Sequence, residues 1–381
     1  MFGNLNELPK PIGDYIVGIT QIDTRFKTQN GREKVVPALV YYPADDNNGR
    51  EPTPYASAKE LHTLNKSLFF LTRRLSKLKT HCFQDIPIST NETDYPIVFY
   101  SPGAGTFIMQ STTLCCDLAS KGYVVIAVGH PSYLGDLRLE NGAFINEYAE
   151  FDQFFRNGIK SIIKVVRKHK LLKKDRMLSD AEFDALAQTL YVEDMKGTYI
   201  NQCAIRASEN LQNILDKVEQ INAGEVESQF EGKFRLSLGV GVTGHSLGGA
   251  TAAQFCKDDE RAVCGINMDG IIFGEDPFMD VAKPFLFMGT RLAWNLARQL
   301  YTNNSAESYF VEIAETAHFG YTDLLFGARQ VNLLRVLGKR DMYDFRRVIT
   351  DFHLGFFDKY LLKMELDFED HNFEDVTVRG K

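Results

Sequence analysis

The sequence predicts an α/β architecture, with a mostly parallel central sheet and helices on both of its faces, and three observations carry that prediction. Short, nearly continuous apolar runs, of the kind found in strands buried on both faces, alternate with helical periodicity. An Asn-Gly turn near the N-terminus separates two β-like segments and marks an antiparallel hairpin. A Gly-x-Ser-x-Gly pentapeptide stands between one apolar run and a helix start rich in small residues.

In chain order, Tyr15 to Phe26 and Lys34 to Tyr42 flank Gln29-Asn30-Gly31 and form the hairpin. Residues 61–80 carry Leu61, Leu64, Leu68, Leu71, Leu75 and Leu78 at spacings of 3, 4, 3, 4 and 3, which is a helical stripe. Such a helix packs its stripe on the core with a solvated basic face; the alternative is peripheral membrane contact on an anionic or lipid interface. Buried strands are expected over Pro96 to Tyr100 and Val124 to Val128, with a helix over Ile108 to Ser120 between them. About a hundred residues then intervene before the next apolar run, far more than an ordinary crossover needs, so 136–234 reads as a helical cap insertion. Within it Phe151, Phe155, Ile159, Ile162 and Val166 recur at helical spacing, as do Leu211, Leu215, Val218 and Ile221. Four more strands follow, over Leu236 to Val242, Val263 to Met268, Pro284 to Met288 and Tyr309 to Ile313. A last helix with Phe345, Ile349, Phe352, Phe356 and Tyr360 on one stripe closes the core. With no repeat, low-complexity tract or linker visible, 1–381 reads as a single domain bearing that cap.

Composition narrows the class. Apolar residues at 44% and charged residues at 24% are ordinary for a globular protein and exclude collagen-like or disordered chains. No uninterrupted apolar run approaches the roughly 20 residues of a membrane-spanning helix. A net charge of -7 argues against nucleic acid as partner. Positive charge is nonetheless concentrated: residues 61–80 hold a net +5 and residues 156–176 a net +8. The six cysteines are dispersed, without the spacing of a zinc site, and read as buried thiols of a reducing compartment. The first residues show neither a charged n-region nor an apolar h-region, and Phe2 excludes N-myristoylation, so a cytoplasmic location is expected. A secreted protein whose leader had been removed is the alternative. Oligomeric state is left open.

The chemistry centres on Gly244-His245-Ser246-Leu247-Gly248, which follows the strand-like Leu238 to Thr243 and precedes Gly249, Ala250, Ala252 and Ala253. This is the context of a nucleophile elbow, where a strained turn between strand and helix needs small residues two before and two after the serine. The competing reading is a Gly-rich turn whose serine merely caps the helix. Ser246 as nucleophile requires a base, and the base an orienting carboxylate. In the α/β-hydrolase arrangement these follow the serine in the order acid, then histidine. His318, in the loop Glu315 to Gly320 after a predicted strand, is the candidate base; His353 lies within the last helix and His371 in an acidic tail. Asp269, ending the run Cys264 to Asp269 with Gly270 beyond, is the candidate acid, with Glu275 and Asp276 as fallbacks. The oxyanion needs two backbone N–H donors: Leu247, and Ala104 from the loop Ser101 to Thr106, with Gly105 the alternative. His130 is expected to bond nearby loop backbone, and His245 to fill the variable position of the elbow. Other readings are a general lipase or esterase, an acyltransferase or a peptidase on the same triad, and a silent hydrolase fold used as a binding module.

Taken together these residues resemble the platelet-activating factor acetylhydrolase family of monomeric α/β-hydrolase type. The resemblance runs from about Gly13 to the last helix and rests on Tyr41-Tyr-Pro-Ala44, Tyr100-Ser-Pro-Gly-Ala-Gly105, Asp117-Leu-Ala-Ser-Lys-Gly-Tyr-Val124, Gly244-His-Ser-Leu-Gly-Gly249 and Cys264-Gly-Ile-Asn-Met-Asp269. The interval of 23 residues from Ser246 to Asp269 matches the family's spacing from nucleophile to acid. The resemblance implies Ser246, Asp269 and His318 as triad, Ala104 and Leu247 as oxyanion donors, and a calcium-independent enzyme without cofactor. Its expected substrates are phospholipids or similar esters with short or oxidised acyl chains. The chain departs from the family at Pro102-Gly103, where His-Gly is frequent, at Leu247, where Phe is frequent, and between Asp136 and Phe234, which is not recognisably alike.

Overall fold

The computed structural model describes residues 6–28, 31–61, 75–147, 152, 160, 163, 164, 167, 179–271, 273–278, 280–327 and 336–381. The centre of the predicted hairpin turn (Gln29, Asn30), the middle of the basic stripe with Leu64, Leu68 and Leu71, and the apolar series Phe151, Phe155, Ile159, Ile162 and Val166 lie outside the described residues. Leu61, Leu75 and Leu78 are described, and all three are buried.

Two long strands, β1 (Ile16–Lys27) and β2 (Glu33–Ala44), pair antiparallel over their whole length, from Ile16 opposite Ala44 to Lys27 opposite Glu33. A three-residue strand β3 (Cys82–Gln84) pairs parallel to β1. The parallel core begins with β4 (Ile97–Ser101), passes through helix α1 (Thr112–Ser120) and returns in β5 (Val124–Val128). Both strands are buried along their whole length, which is why they read as unbroken apolar runs. A small ribbon, β6 (Leu137–Arg138) with β7 (Phe144–Ile145), follows, then α2 (Asp180–Leu190) and α3 (Tyr199–Asn222). Thr198 caps α3, its hydroxyl accepting from the Asn201 N–H. The buried stripe of α3, including Leu211, Leu215, Val218 and Ile221, faces the sheet and the helix that follows β8. This part of 136–234 is therefore a layer of the sheet's own packing.

The second half continues with β8 (Val240–His245), α4 (Leu247–Asp258), β9 (Ala262–Met268), β10 (Phe285–Gly289), α5 (Arg291–Asn303), β11 (Ser308–Ile313), the short α6 (Leu324–Gly327), α7 (Met342–Tyr360) and β12 (Val376–Gly380). The ten-stranded order is β12-β11-β10-β9-β8-β4-β5-β2-β1-β3, with β4, β5 and β8 to β11 mutually parallel. This is the α/β-hydrolase architecture, with one contiguous apolar core running from Leu8 to Phe368.

Some boundaries differ from the sequence reading for physical reasons. The strand expected from Leu236 starts at Val240, because Leu236–Leu238 form a 3-10 turn and Gly239 adopts a left-handed φ of 72°. The helix expected from Ile108 starts at Thr112, where the carboxylate of Asp323 accepts the Thr113 N–H at 3.2 Å. Strand β12, in the acidic tail, pairs antiparallel with β11 at the sheet edge; five residues, of which the described side chains are half or fully exposed, leave little apolar pattern to read.

Candidate active site

Neighbouring strands β4 and β8 send their connections in opposite directions, β4 towards β5 and β8 towards β9. The crevice at their carboxyl ends is the switch point at which open α/β sheets bind ligands. The loop after β4 and the turn after β8 both open into it.

Ser246 joins β8 to α4 with φ 57° and ψ -121°, a conformation that costs a non-glycine residue and persists only where its surroundings impose it. Here they do. Its N–H donates to the Met268 carbonyl at 2.9 Å, and a Cβ on Gly248 would lie 1.9 Å from the Ser101 carbonyl oxygen, so only glycine lets α4 approach the end of β4. His318 begins a 3-10 turn after β11. Its Nε2 is 2.9 Å from Ser246 Oγ and its Nδ1 is 2.7 Å from Asp269 Oδ2. The carboxylate fixes the tautomer: Nδ1–H donates to Asp269, leaving Nε2 to accept from the serine hydroxyl. The His318 side chain is 42% exposed, so this relay is open to solvent.

Asp269 stands directly after β9 and is 4% exposed. Its second oxygen, Oδ1, accepts the Thr290 N–H at 2.7 Å and the Thr290 hydroxyl at 2.8 Å. Burial pushes this carboxyl's pKa up, but the His318 contact and the two Thr290 bonds outweigh it and hold the pKa below the ordinary value. The fallback acids are elsewhere: Glu275 faces Lys257 at 3.5 Å, and Asp276 accepts the Phe278 N–H. His353 is fully buried between Thr243 and its own helix, its Nδ1–H donating to the Ile349 carbonyl, and His371 stacks on Phe373.

In the loop after β4, the Gly105 N–H donates to the Tyr133 carbonyl at 2.9 Å and is thereby engaged. Leu247 is the first residue of α4, where an N–H has no acceptor within the helix. Ser101, at the end of β4, is gripped from behind: the His130 Nε2 lies 3.0 Å from its hydroxyl, and Asn210 of α3 donates to His130 Nδ1 at 3.2 Å. His130 thus bonds side chains rather than the loop backbone that the sequence suggested. Burial pushes its pKa down to about 3, keeping the ring neutral in that donor and acceptor pattern.

Sequence reasoning overlooked Thr290 and this anchoring role of His130. A threonine immediately after a buried strand, at the start of a helix, is the one signal that could have pointed to Thr290.

A family model described as platelet-activating factor acetylhydrolase, isoform II, matches residues 2–134 and 187–377. The chain belongs to this family. Among acetylhydrolases of that name, the chain is 24% identical to the one from Cavia porcellus over 372 residues, covering 93% of this chain and 78% of the relative. It is 25% identical to the Bos taurus acetylhydrolase over 353 residues, covering 86% of this chain and 70% of the relative. A ferulic acid esterase from Streptomyces cinnamoneus shares the fold with a TM-score of 0.69 at 20% identity, covering 98% of each chain. The acetylhydrolase family match resumes at residue 187, which narrows the dissimilar segment expected between Asp136 and Phe234 to 135–186 and brings α3 within the family pattern. As a member of the acetylhydrolase family on an esterase fold, the protein is a carboxylic ester hydrolase.

Proposed function

We propose that the chain hydrolyses short-acyl, phospholipid-like esters through an acyl-enzyme on Ser246, with His318 as base, Asp269 as its orienting acid, and the N–H groups of Ala104 and Leu247 as oxyanion donors. The observation that carries the roles is the continuous relay from Ser246 Oγ through the His318 ring to a buried Asp269, at 2.9 and 2.7 Å. Oγ bonds to the ester carbonyl carbon while its proton passes to Nε2 of His318. The oxyanion forms against the two N–H groups, and His318 returns the proton to the departing alkoxide. Water then attacks the acyl-serine, giving its proton to His318, and the acid leaves as Ser246 regains a proton. The short-acyl lipid substrate rests on the acetylhydrolase relatives.

Peripheral membrane contact through residues 61–80 belongs to the same proposal and is supported by their net +5. A reducing, cytoplasmic compartment is supported by six free thiols, all buried. We read 1–381 as one domain with 136–234 inserted between β5 and β8, supported by the contiguous core.

The test is hydrolysis of p-nitrophenyl esters from acetate to palmitate, and of phosphatidylcholines with acetyl or palmitoyl at the second position, by wild type and Ser246→Ala. The expected result is a preference for short chains in both series, abolished in the variant. A Ser246→Ala enzyme with undiminished turnover sinks the triad; wild type that cleaves only the p-nitrophenyl series sinks the lipid substrate.

A further inference from the structure

The residue before Ser246 is 1% exposed and lies where three chain segments meet. His245 Nε2 is 2.9 Å from the carbonyl oxygen of His318 itself, so Nε2–H donates to that backbone. Nδ1 is then an acceptor, and Gln110 Nε2 lies 3.3 Å from it. Gln110 is held in turn, its side-chain amide donating to the Tyr100 hydroxyl at 2.7 Å and its backbone carbonyl accepting the Asp323 N–H at 2.7 Å. The His245 ring is 4.7 Å from the His318 ring and stacks on Tyr321 at 6.3 Å and 15°. On its other side, a Cβ on Gly103 would come within 2.9 Å of Nδ1, so the ring also fills the space beneath the loop after β4. Burial pushes the ring's pKa down to about 3, so it stays neutral with one donor and one acceptor, as both contacts require.

We infer that His245 is a positioning residue for the base: its Nε2–H holds the His318 carbonyl and thereby sets where the His318 ring stands between Ser246 and Asp269. The inference rests on the triad reading above. The reason it matters is geometric. His318 is half exposed on a short 3-10 turn, tied by the Phe319 N–H to the Val336 carbonyl at 3.2 Å, and the His245 bond adds a restraint at the backbone of the base itself. A displacement of about 1 Å in a reacting group can cost on the order of 100-fold in rate. His245 joins the turn carrying the base to the elbow carrying the nucleophile by one buried, directional bond.

The variants His245→Phe, His245→Gln and His245→Met separate this role from mere space filling. Phe keeps a ring without the donor, Gln keeps an N–H at similar reach, and Met fills the space flexibly without one. Steady-state kinetics on p-nitrophenyl acetate and the rate of fluorophosphonate labelling are measured per folded enzyme, with folded fractions from thermal unfolding. The expected result is a kcat and labelling rate about 10- to 100-fold lower in Phe and Met with KM nearly unchanged, and recovery of most of the loss in Gln. Wild-type kcat in His245→Phe, or equal kcat in Gln and Met, overturns the inference; the second comparison stands if the Phe variant does not fold. Ser246→Ala run alongside keeps the two ideas apart. If it retains activity the triad reading fails, whereas its inactivity beside a fully active His245→Phe condemns only the inference.

Discussion

Asp269 is where the cost and the use of burial meet. Its charge is kept in a nearly inaccessible site because three hydrogen bonds are organised around it: His318 on one oxygen, and the N–H and hydroxyl of Thr290 on the other. Asp269→Asn keeps the size but offers the His318 ring a neutral amide that can favour the wrong tautomer. Its kcat/KM on p-nitrophenyl acetate is expected to fall by roughly 10³- to 10⁴-fold, with the fold intact by circular dichroism. Stability carries the same signature. Because the folded pKa of Asp269 is depressed, its contribution is present above the ordinary carboxylate range and is lost as pH falls through the folded value. Thr290→Val removes the hydroxyl bond and keeps the N–H. It should lower stability at neutral pH by about 1 kcal/mol and shift the onset of acid loss to higher pH in denaturant titrations.

At the level of elements, the elbow works because β8, α4 and the end of β4 approach more closely than side chains allow. Gly248→Ala must push its Cβ against the Ser101 carbonyl, a backbone atom that cannot swing aside, and overpacking of this kind costs about 1–3 kcal/mol. Since Ser101 leads into the loop that holds Ala104, the variant should lose both thermal stability and kcat, and it is the joint loss that the reading requires. A second device ties α1 to the turn carrying His318. Asp323 caps the first turn of α1 from across the fold, and burial pushes its pKa up to about 7. A carboxyl whose folded pKa is raised binds more protons folded than unfolded, so it costs stability as pH rises from the ordinary carboxylate range to about 7. Asp323→Asn abolishes that titration. The stability difference between variant and wild type, measured by urea unfolding at pH 5 and pH 8, should move in the variant's favour at pH 8; a difference constant across pH removes Asp323 from this role.

Across the whole molecule, two helices that pack on each other from opposite halves of the chain, α1 and α7, are joined by a buried ion pair. Arg346 of α7 donates to both oxygens of Asp117 on α1, Thr350 adds a third bond to the same carboxylate at 2.9 Å, and Arg346 also reaches the Lys10 carbonyl. Burial raises the pKa of Asp117, while Arg346 and Thr350 oppose the rise. Removing the cation strands a carboxylate that is wholly inaccessible, so Arg346→Ala should destabilise the protein by about 3–5 kcal/mol in chemical denaturation. Arg346→Ala together with Asp117→Asn should recover part of that, since the uncompensated charge is gone.

What the sequence alone determined are the features dictated locally. Strands buried on both faces must be apolar throughout, and the turn around Ser246 must have glycines at fixed offsets. Each is a constraint between residues a few positions apart, so each leaves a readable pattern. The same pattern singled out Ser246, Asp269 and His318, which the fold brings together, but by order along the chain rather than by distance. Only the tertiary structure decided which of three carboxylates reaches the His318 ring, because β9 ends beside β8 and presents Asp269, whereas Glu275 and Asp276 turn to Lys257 and Phe278. Thr290, His245 and Asp323 act through bonds to residues 21, 73 and 210 positions away. Contacts of that span depend on how the loops at the carboxyl edge of the sheet converge, and no local pattern of residues encodes that convergence.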